Sequence, residues 1–164
     1  AAQAIQLAFV GVPGIYIHSL LGSRNWYEGV TRTGVLRAIN REKLAYDHVE
    51  AALADPTSLR SLVFYPYREL LIRRAAERAF HPNGPQGVLT LHPAVFALRR
   101  TSPQGDEHVL TLTNVSGEPV IVDLSGVAPD GARALRDVLS GRWVSVGEAL
   151  RLEPYEVLWL KAER

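Results

Sequence analysis

The hydrophobic period of the sequence changes at a single point. Residues 81–85, HPNGP, place two prolines, an asparagine and a glycine within five positions and form the strongest breaker cluster of the chain. Before it, residues 59–80 carry apolar side chains at near-helical spacing, with arginines and glutamates on the opposite face. After it, residues 87–161 largely alternate apolar and polar positions. The sequence therefore predicts helices in the first half and an antiparallel β-sandwich in the second.

Eight short runs make up the predicted sandwich, and turns such as PQGD and SG separate them. The runs are GVLTLH, AVFALRRT, EHVLTLTNVS, PVIVDLS, RALRDVLS, RWVSV, EALRLEP and YEVLWLK. Alternation in the last run puts Trp159 on the same side as Val157. We therefore predict that Trp159 faces inward and that both Trp143 and Trp159 fill the core of the sandwich.

The start of the chain predicts the αβ step of a layered α/β fold. Residues 1–9 suit a helix that is buried on most sides and ended by GVPG, and residues 15–18, IYIH, form a short β-prone run. A glycine-bearing loop is expected over residues 21–35. A strand needs neighbours, yet only ten residues precede this stretch. Alone, the strand would have two unpaired edges and the first helix an uncovered apolar surface, so we expect residues 1–45 to be ordered only against further protein.

Two more helices are predicted before the breaker cluster. Residues 47–54 have the pattern of a short helix, and DPTS at 55–58 supplies good N-cap residues for a second helix over residues 59–80. Because proline lacks an N–H group and clashes with the preceding turn, we expect Pro66 to kink or divide that second helix.

Length and composition exclude several classes of protein. A chain of 164 residues is too short for a complete (β/α)8 barrel, which takes roughly 250 residues. The formal net charge is +1 and no basic tract is present, so no nucleic-acid partner is predicted. The absence of cysteine excludes disulfides, thiolate nucleophiles and cysteine zinc sites. No apolar run reaches the roughly 18 residues of a membrane span and no signal peptide is recognisable, so we expect a soluble, cytoplasmic protein without a membrane partner.

The sequence contains no complete catalytic set. Retaining glycoside chemistry needs two carboxylates about 5 Å apart, but no Asp or Glu occurs in residues 1–27. The five histidines are scattered singly, without ligand spacing, and no G-x-S-x-G motif is present. We therefore predict no metal and no cofactor. Taken alone, these 164 residues favour a folding or sugar-binding module without turnover.

Two motifs carry a resemblance to a known family. GIYIHSLLGSRN at residues 14–25, together with RAINREKL at residues 37–44, resembles the last barrel strand and following loop of the sucrose-phosphorylase-like subfamily of glycoside hydrolase family 13, the α-amylase superfamily. The motifs are most similar to the branch that contains glucosylglycerate phosphorylase and sucrose 6-phosphate phosphorylase. The resemblance implies that residues 1–84 are the last part of a (β/α)8 barrel and that residues 85–164 are the C-terminal β-sandwich domain.

The same resemblance implies the activity of a longer parent protein. Its members are retaining α-glucoside phosphorylases, in which the sugar passes to an enzyme carboxylate and then to phosphate, giving α-glucose 1-phosphate. The family's nucleophile, acid/base and stabilising carboxylates lie on earlier strands, so none is assigned to this chain, which we predict to be inactive alone. The expected partners are the α-glucoside, phosphate and the remainder of the barrel. A hydrolase or transglucosidase of the same superfamily is the alternative, and phosphate dependence separates the two.

Arg37 is the residue that the resemblance singles out. It is similar to an arginine beside the acceptor subsite that helps to hold phosphate or the departing sugar, and a guanidinium fork matches phosphate oxygens. Gly29 and Gly34 would let its loop bend towards a ligand, and Asn40 and Arg41 of the same motif are expected to brace that loop. The alternative for Arg37 is an ordinary solvated cation.

The end of the predicted strand supplies the other candidates. His18 and Asn25 are expected to bind sugar hydroxyls, and Arg24 an anionic acceptor such as glycerate or a sugar phosphate, because the carboxyl ends of barrel strands face the active site. The alternatives are a packed histidine and a structural ion pair of Arg24. Trp26 and Tyr27 are read either as a platform for a sugar ring or as packing anchors.

Overall fold

The computed structural model describes residues 1–162 and forms two compact units. One unit is Gly14–Glu69, and the other joins Ala1–Pro13 to the residues from Leu70 onward. The helices are α1 Ala2–Ala8, α2 Ile17–Leu20, α3 Tyr27–Thr33, α4 Tyr46–Ala54 and α5 Leu59–Ala76, with short 3₁₀ turns at Leu36–Asn40 and Arg78–Phe80. The strands are β1 Gln86–His92, β2 Val95–Thr101, β3 His108–Asn114, β4 Val120–Val122, β5 Ala134–Asp137, β6 Trp143–Ser145, β7 Leu150–Leu152 and β8 Val157–Lys161.

The strands form two antiparallel sheets. The larger sheet has the order β1-β2-β3-β8-β5-β6, and the smaller one pairs β4 with β7. Their facing sides enclose a core of aliphatic side chains, among them Leu110, Leu112, Leu152, Leu158 and Leu160. All eight predicted strands are present, and the expectation of an antiparallel β-sandwich after the breaker cluster is confirmed.

The opposite face of the larger sheet is covered as well. The ring of Phe80 packs at a tilt against that of Trp159 of β8, with 4.7 Å between ring centroids, and the ring centroids of Phe9 and Phe96 of β2 are 5.5 Å apart. The apolar face of α1, whose side chains Ala4, Leu7 and Ala8 are buried, packs against β2 and β3. The expectation that α1 leaves its apolar surface uncovered is therefore wrong.

Two arginines fix α1 on this face. Arg74 of α5 donates hydrogen bonds to the carbonyl oxygens of Leu7 at 2.9 Å and Gly11 at 3.0 Å. Arg100 of β2, which is fully buried, donates to the carbonyls of Ala8 at 2.9 Å and His81 at 3.0 Å. The last carbonyls of a helix lack intrahelical partners and carry partial negative charge, so cationic donors satisfy both requirements at once.

A carboxylate network closes one end of the same unit. The ammonium group of Lys161 binds the carboxylates of Glu77 and Glu107, and Glu107 also accepts a hydrogen bond from the backbone N–H of Ala79 at 2.8 Å. Arg78 pairs with Asp106 at 2.9 Å. Burial raises the pKa of Glu107, but the hydrogen bonds from Lys161 and Ala79 outweigh burial and hold the pKa below its ordinary value.

The predicted strand at 15–18 is wrong. Ile17 and His18 lie in α2, whose turn is closed by hydrogen bonds from Leu20 N to Tyr16 O and from Leu21 N to Ile17 O, both 3.0 Å. No segment within residues 1–162 pairs with this stretch. Without ladder hydrogen bonds an extended segment has no partner for its backbone groups, and a local helical turn satisfies part of them.

Three smaller expectations also need correction. The loop at 21–35 contains helix α3, and Trp143 is 56% exposed. Of the two outcomes expected for Pro66, a division of the helix does not occur, because α5 continues through it, and a kink stays a prediction. Trp143 points outward because its neighbour Val144 takes the core position on the short edge strand β6. Trp159 is buried as predicted, but on the face towards Phe80 and not in the sandwich core.

The compact units divide the chain differently from the predicted boundary at 84/85. The division falls within α5, between Glu69 and Leu70, because the end of that helix and the breaker cluster contribute to the unit that holds the sheets. The assignment of residues 1–84 to a barrel and of residues 85–164 to a separate domain stays a prediction.

Replacement of Arg100 tests the attachment of α1. We expect Arg100→Met to lower the free energy of unfolding by about 2–4 kcal/mol, because the buried carbonyl of Ala8 and the partly buried carbonyl of His81 lose their donors. Urea denaturation of the chain measures the change. Arg133→Met, at an exposed arginine, is the matched control and should cost far less. Equal losses in the two variants would contradict the role of Arg100.

Acidification tests the carboxylate network. Since the pKa of Glu107 is lower in the folded chain, its contribution to stability is present above the unfolded pKa of about 4.3 and is lost as the pH falls through the folded pKa. We expect the wild-type chain to lose more stability than Glu107→Gln between pH 6 and pH 3, measured by urea denaturation. Glu148→Gln, at an exposed carboxylate, should behave as the wild type does. A Glu107→Gln variant with the wild-type pH dependence would refute the assignment.

Candidate functional site

The candidate site lies in the unit Gly14–Glu69, around the loop Gly22–Trp26 between α2 and α3. Gly22 has φ +59°, and a side chain there would be strained and would collide with Val63 of α5. Glycine therefore allows the chain to leave α2 abruptly while α5 lies directly behind the turn. The following residues Ser23, Arg24 and Asn25 are presented from this turn.

Arg60 of α5 holds the loop from behind. Its Nη1 atom donates hydrogen bonds to Ser23 Oγ at 3.1 Å and to the carbonyl oxygen of Leu21 at 3.4 Å. His18 Nδ1 lies 3.0 Å from the same Ser23 Oγ, and the Ser23 N–H donates to the His18 carbonyl at 2.8 Å. The side chains of His18, Ser23 and Arg60 therefore form one hydrogen-bonded group.

The start of α5 is fixed by its cap. Ser58 Oγ accepts a hydrogen bond from Ser61 N at 3.0 Å, as an N-cap side chain does, and also donates to the Ala52 carbonyl at the end of α4. Asp55 accepts hydrogen bonds from the hydroxyl of Thr57 at 2.7 Å and its N–H at 2.8 Å, and these bonds lower the pKa of Asp55. The predicted N-cap over residues 55–58 is confirmed, and it determines where Arg60 emerges.

A pocket of about 290 Å³ opens between these elements. It is lined by Gly22, Ser23, Arg24, Asn25, Trp26, Glu42, Ser58, Leu59 and Arg60. Two guanidinium groups, one carboxylate, one amide and two hydroxyls thus surround a small open volume. This set of donors and acceptors suits a small polyhydroxylated or anionic molecule.

Trp26 is anchored to the loop that follows it. Its backbone N–H donates to the Ile39 carbonyl at 2.6 Å, its ring covers Gly29 of α3, and the guanidinium of Arg32 lies 4.9 Å from its ring centroid. Gly29 therefore makes room for the Trp26 ring within α3, and it is not the flexible loop residue expected from the sequence. Tyr27 is 67% exposed and its hydroxyl oxygen accepts a hydrogen bond from Asn25 Nδ2 at 3.2 Å.

Arg37 lies apart from this pocket lining, in the 3₁₀ turn Leu36–Asn40. Its side chain is exposed and makes no hydrogen bond or ion pair with any part of the chain that the structure describes. The Asn40 carbonyl accepts a hydrogen bond from the Tyr16 hydroxyl, and the Arg41 N–H donates to the Ala38 carbonyl at 3.0 Å. Arg24 and Asn25 are thus brought together in the pocket, His18 adjoins it through Ser23, and the motif around Arg37 forms a neighbouring surface of its own.

Sequence reasoning missed Arg60, Ser23 and Glu42 as lining residues. One signal was available for Arg60: it follows the Ser58 cap by two positions, and a cation in the first turn of a helix opposes the helix dipole. An unfavourable placement of this kind indicates a compensating contact, which the structure supplies at Ser23 and Leu21. Glu42 carries no comparable signal.

Residues 1–162 lack two further features. No helix there is both long and apolar enough to cross a bilayer. No group of three or more histidine, cysteine, aspartate or glutamate side chains in those residues is arranged to hold a metal ion.

Solved structures identify the fold. AmyP in complex with maltose is 19% identical and superimposes with a TM-score of 0.68 over 98% of this chain and 33% of its own. Trehalulose synthase MutB from Pseudomonas mesoacidophila MX-45 is 17% identical, with a TM-score of 0.66 over 98% of this chain and 37% of its own. This chain therefore shares the fold of about a third of each of these two proteins, with helices followed by an antiparallel β-sandwich. A scan of family models gave no match.

Comparison of sequences gives more similar relatives than comparison of structures does. A glucosylglycerate phosphorylase from Spirochaeta thermophila is 48% identical over the whole chain and 30% of its own length. One from Escherichia coli K12 is 35% identical over 98% of the chain and 27% of its own length. The chain is therefore similar over nearly its whole length to glucosylglycerate phosphorylases, and it spans less than a third of the length of the curated relatives it matches.

Substitution of Gly29 tests the packing beneath Trp26. Alanine favours a helix over glycine, yet the added Cβ would overlap the Trp26 ring, so we expect Gly29→Ala to destabilise the unit by about 1–3 kcal/mol. The indole N–H signal of Trp26 in an NMR spectrum should shift at the same time. Gly126→Ala, where a Cβ meets nothing within 4 Å, is the control. An unchanged Trp26 signal would show that the ring does not depend on Gly29.

Proposed function

We propose that this chain is the C-terminal segment of a retaining α-glucoside phosphorylase, and that its α-glucoside is glucosylglycerate. The observation that carries the proposal is 48% identity over the whole chain to a glucosylglycerate phosphorylase. Residues 14–25 and 37–44, which resemble the phosphorylase subfamily, lie within the aligned stretch, and their resemblance supports the same reaction.

The proposed reaction divides its chemistry between two parts of the protein. A carboxylate outside this chain attacks the anomeric carbon, the glycosidic C–O bond breaks, and an acid/base carboxyl protonates the departing acceptor oxygen. Phosphate then attacks the same carbon, and the carboxylate leaves to give α-glucose 1-phosphate with retained configuration. This chain contributes to holding the acceptor and the phosphate.

Arg37 is the proposed phosphate ligand. Its guanidinium is exposed and has no partner in residues 1–162, so its donors are available to phosphate oxygens. Asn40 and Arg41 follow in the same turn and are proposed to support it. The hydrogen bond from Tyr16 to the Asn40 carbonyl fixes the end of that turn.

Arg24, Asn25 and His18 are proposed to bind the acceptor. Arg24 and Asn25 line the pocket, where a guanidinium would pair with a carboxylate and an amide with a hydroxyl. His18 is held through Ser23 at the edge of the same loop. These three groups match a small acceptor that carries one negative charge and hydroxyl groups, as glycerate does.

The remainder of the barrel is the proposed protein partner. The unit Gly14–Glu69 exposes large hydrophobic side chains that a lone domain would bury: Tyr16, Ile17, Tyr27, Val35, Leu36, Tyr46, Leu59, Leu62 and Tyr65. We propose that earlier barrel strands and helices of the longer protein cover them. A cytoplasmic location belongs to the same proposal.

Arg37→Ala in the full-length protein tests the phosphate site. We expect phosphorolysis of the α-glucoside to fall about 10- to 100-fold, since a charge-assisted hydrogen bond contributes about 1.5–3 kcal/mol, while water-driven hydrolysis falls much less. Release of α-glucose 1-phosphate and of free glucose gives the two rates. Lys43→Ala, at an exposed cation nearby in sequence, is the control.

Two results would decide against the proposal. Equal losses of phosphorolysis and hydrolysis in Arg37→Ala would remove Arg37 from the phosphate site. A wild-type protein whose turnover is independent of phosphate would instead favour the hydrolase or transglucosidase alternative, and one without turnover would favour a sugar-binding module.

A further inference from the structure

The hydroxyl oxygen of Ser23 contacts two other side chains, those of Arg60 and His18. Arg60 Nη1 lies 3.1 Å from Ser23 Oγ, and His18 Nδ1 lies 3.0 Å from the same atom. A serine hydroxyl has one proton to donate and two lone pairs that accept. Because a guanidinium can only donate, Arg60 occupies one lone pair and leaves the hydroxyl proton to be placed elsewhere.

The contact with His18 can take two forms. In the first, the hydroxyl donates to an unprotonated Nδ1, and the imidazole proton is on Nε2. In the second, Nδ1–H donates to the hydroxyl, whose own proton then has no acceptor in the part of the chain that the structure describes. Only the first form gives the hydroxyl proton an acceptor within residues 1–162. It is also favoured by polarisation, since an oxygen that accepts from a cation becomes a stronger donor.

The second ring nitrogen of His18, Nε2, makes no hydrogen bond within residues 1–162. His18 is half-buried, the ring of Tyr16 lies 5.3 Å from it, and its Nε2 atom has no partner in residues 1–162. A proton fixed on Nε2 would therefore be available for donation to a ligand.

We propose that Arg60 is a positioning residue that acts through Ser23 to hold His18 in its Nε2–H tautomer, so that this N–H donates to an oxygen of the acceptor. The ligand in this inference rests on the proposed function, whereas the tautomer does not. An imidazole free to exchange tautomers is a donor at Nε2 only part of the time. With the tautomer fixed, the site prefers an oxygen that must accept, such as a carboxylate oxygen, over a group that must donate.

The tautomer is measured directly by NMR of the full-length protein labelled with ¹⁵N-histidine, with His18→Gln used to assign the signals. We expect a protonated Nε2 and an unprotonated Nδ1 at His18 in the wild type. Arg60→Met and Ser23→Ala should each convert this pattern to a mixture of tautomers, and Arg60→Lys, which keeps a cationic donor, should restore it in part. Arg68→Met, at an exposed arginine of the same helix, should leave the wild-type pattern.

Kinetics provide the second measurement. In Arg60→Met we expect the KM for the α-glucoside to rise about tenfold, the effect of one hydrogen bond, with a smaller change in kcat, and Arg60→Lys to recover part of the loss. A wild-type proton on Nδ1, or an Arg60→Met spectrum equal to that of the wild type, would overturn the inference. Because the spectrum is independent of turnover, a protein without phosphorolysis would overturn the proposed function while the tautomer is still decided by NMR.

Discussion

Two guanidinium groups that bind backbone carbonyls hold the outer face of the larger sheet together. Arg74 and Arg100 reach the carbonyls at the end of α1 and those of Phe80 and His81, so that one pair of cations fixes the helix and the turn after α5. Burial lowers the pKa of both guanidinium groups, and the charge of Arg74 lowers the pKa of Arg100 further. The cost of desolvating the two guanidinium groups is offset because these carbonyls, which are buried or partly buried, would otherwise lack donors.

The consequence for the sheet is that both of its faces are interior. Aliphatic side chains fill the side towards β4 and β7, while Trp159, Phe80 and the apolar residues of α1 fill the other. A sheet covered on both faces has strands that are buried at successive positions, as β3 is after His108, where even Thr111, Thr113 and Asn114 are buried. At the end of this layer, Lys161 forms ion pairs with the carboxylates of Glu77 and Glu107.

This double coverage explains which sequence predictions succeeded. Turn residues marked the ends of all eight strands, so the strands were predictable from local chemistry. The direction of Trp159 was not, because alternation shows which residues share a face but not which face is the core when both are buried. The prediction of a strand at residues 15–18 was wrong because β propensity leads to a strand only where neighbouring strands pair with it. Within residues 1–162 no strand pairs with this segment. Arg60 was missed because its role depends on a loop 37 residues earlier.

The electrostatics of the pocket agree with the division of labour in the proposed reaction. Residues 1–27 contain no carboxylate, and the pocket lining has the cations Arg24 and Arg60 against the single anion Glu42. One positive charge is therefore left over, which favours an anionic acceptor and disfavours a neutral one of the same size. Carboxylates for bond cleavage placed in this pocket would cancel that preference. In the proposed reaction this surplus charge would select the acceptor, while the carboxylates that break the glycosidic bond would reach the same acceptor from another part of the protein.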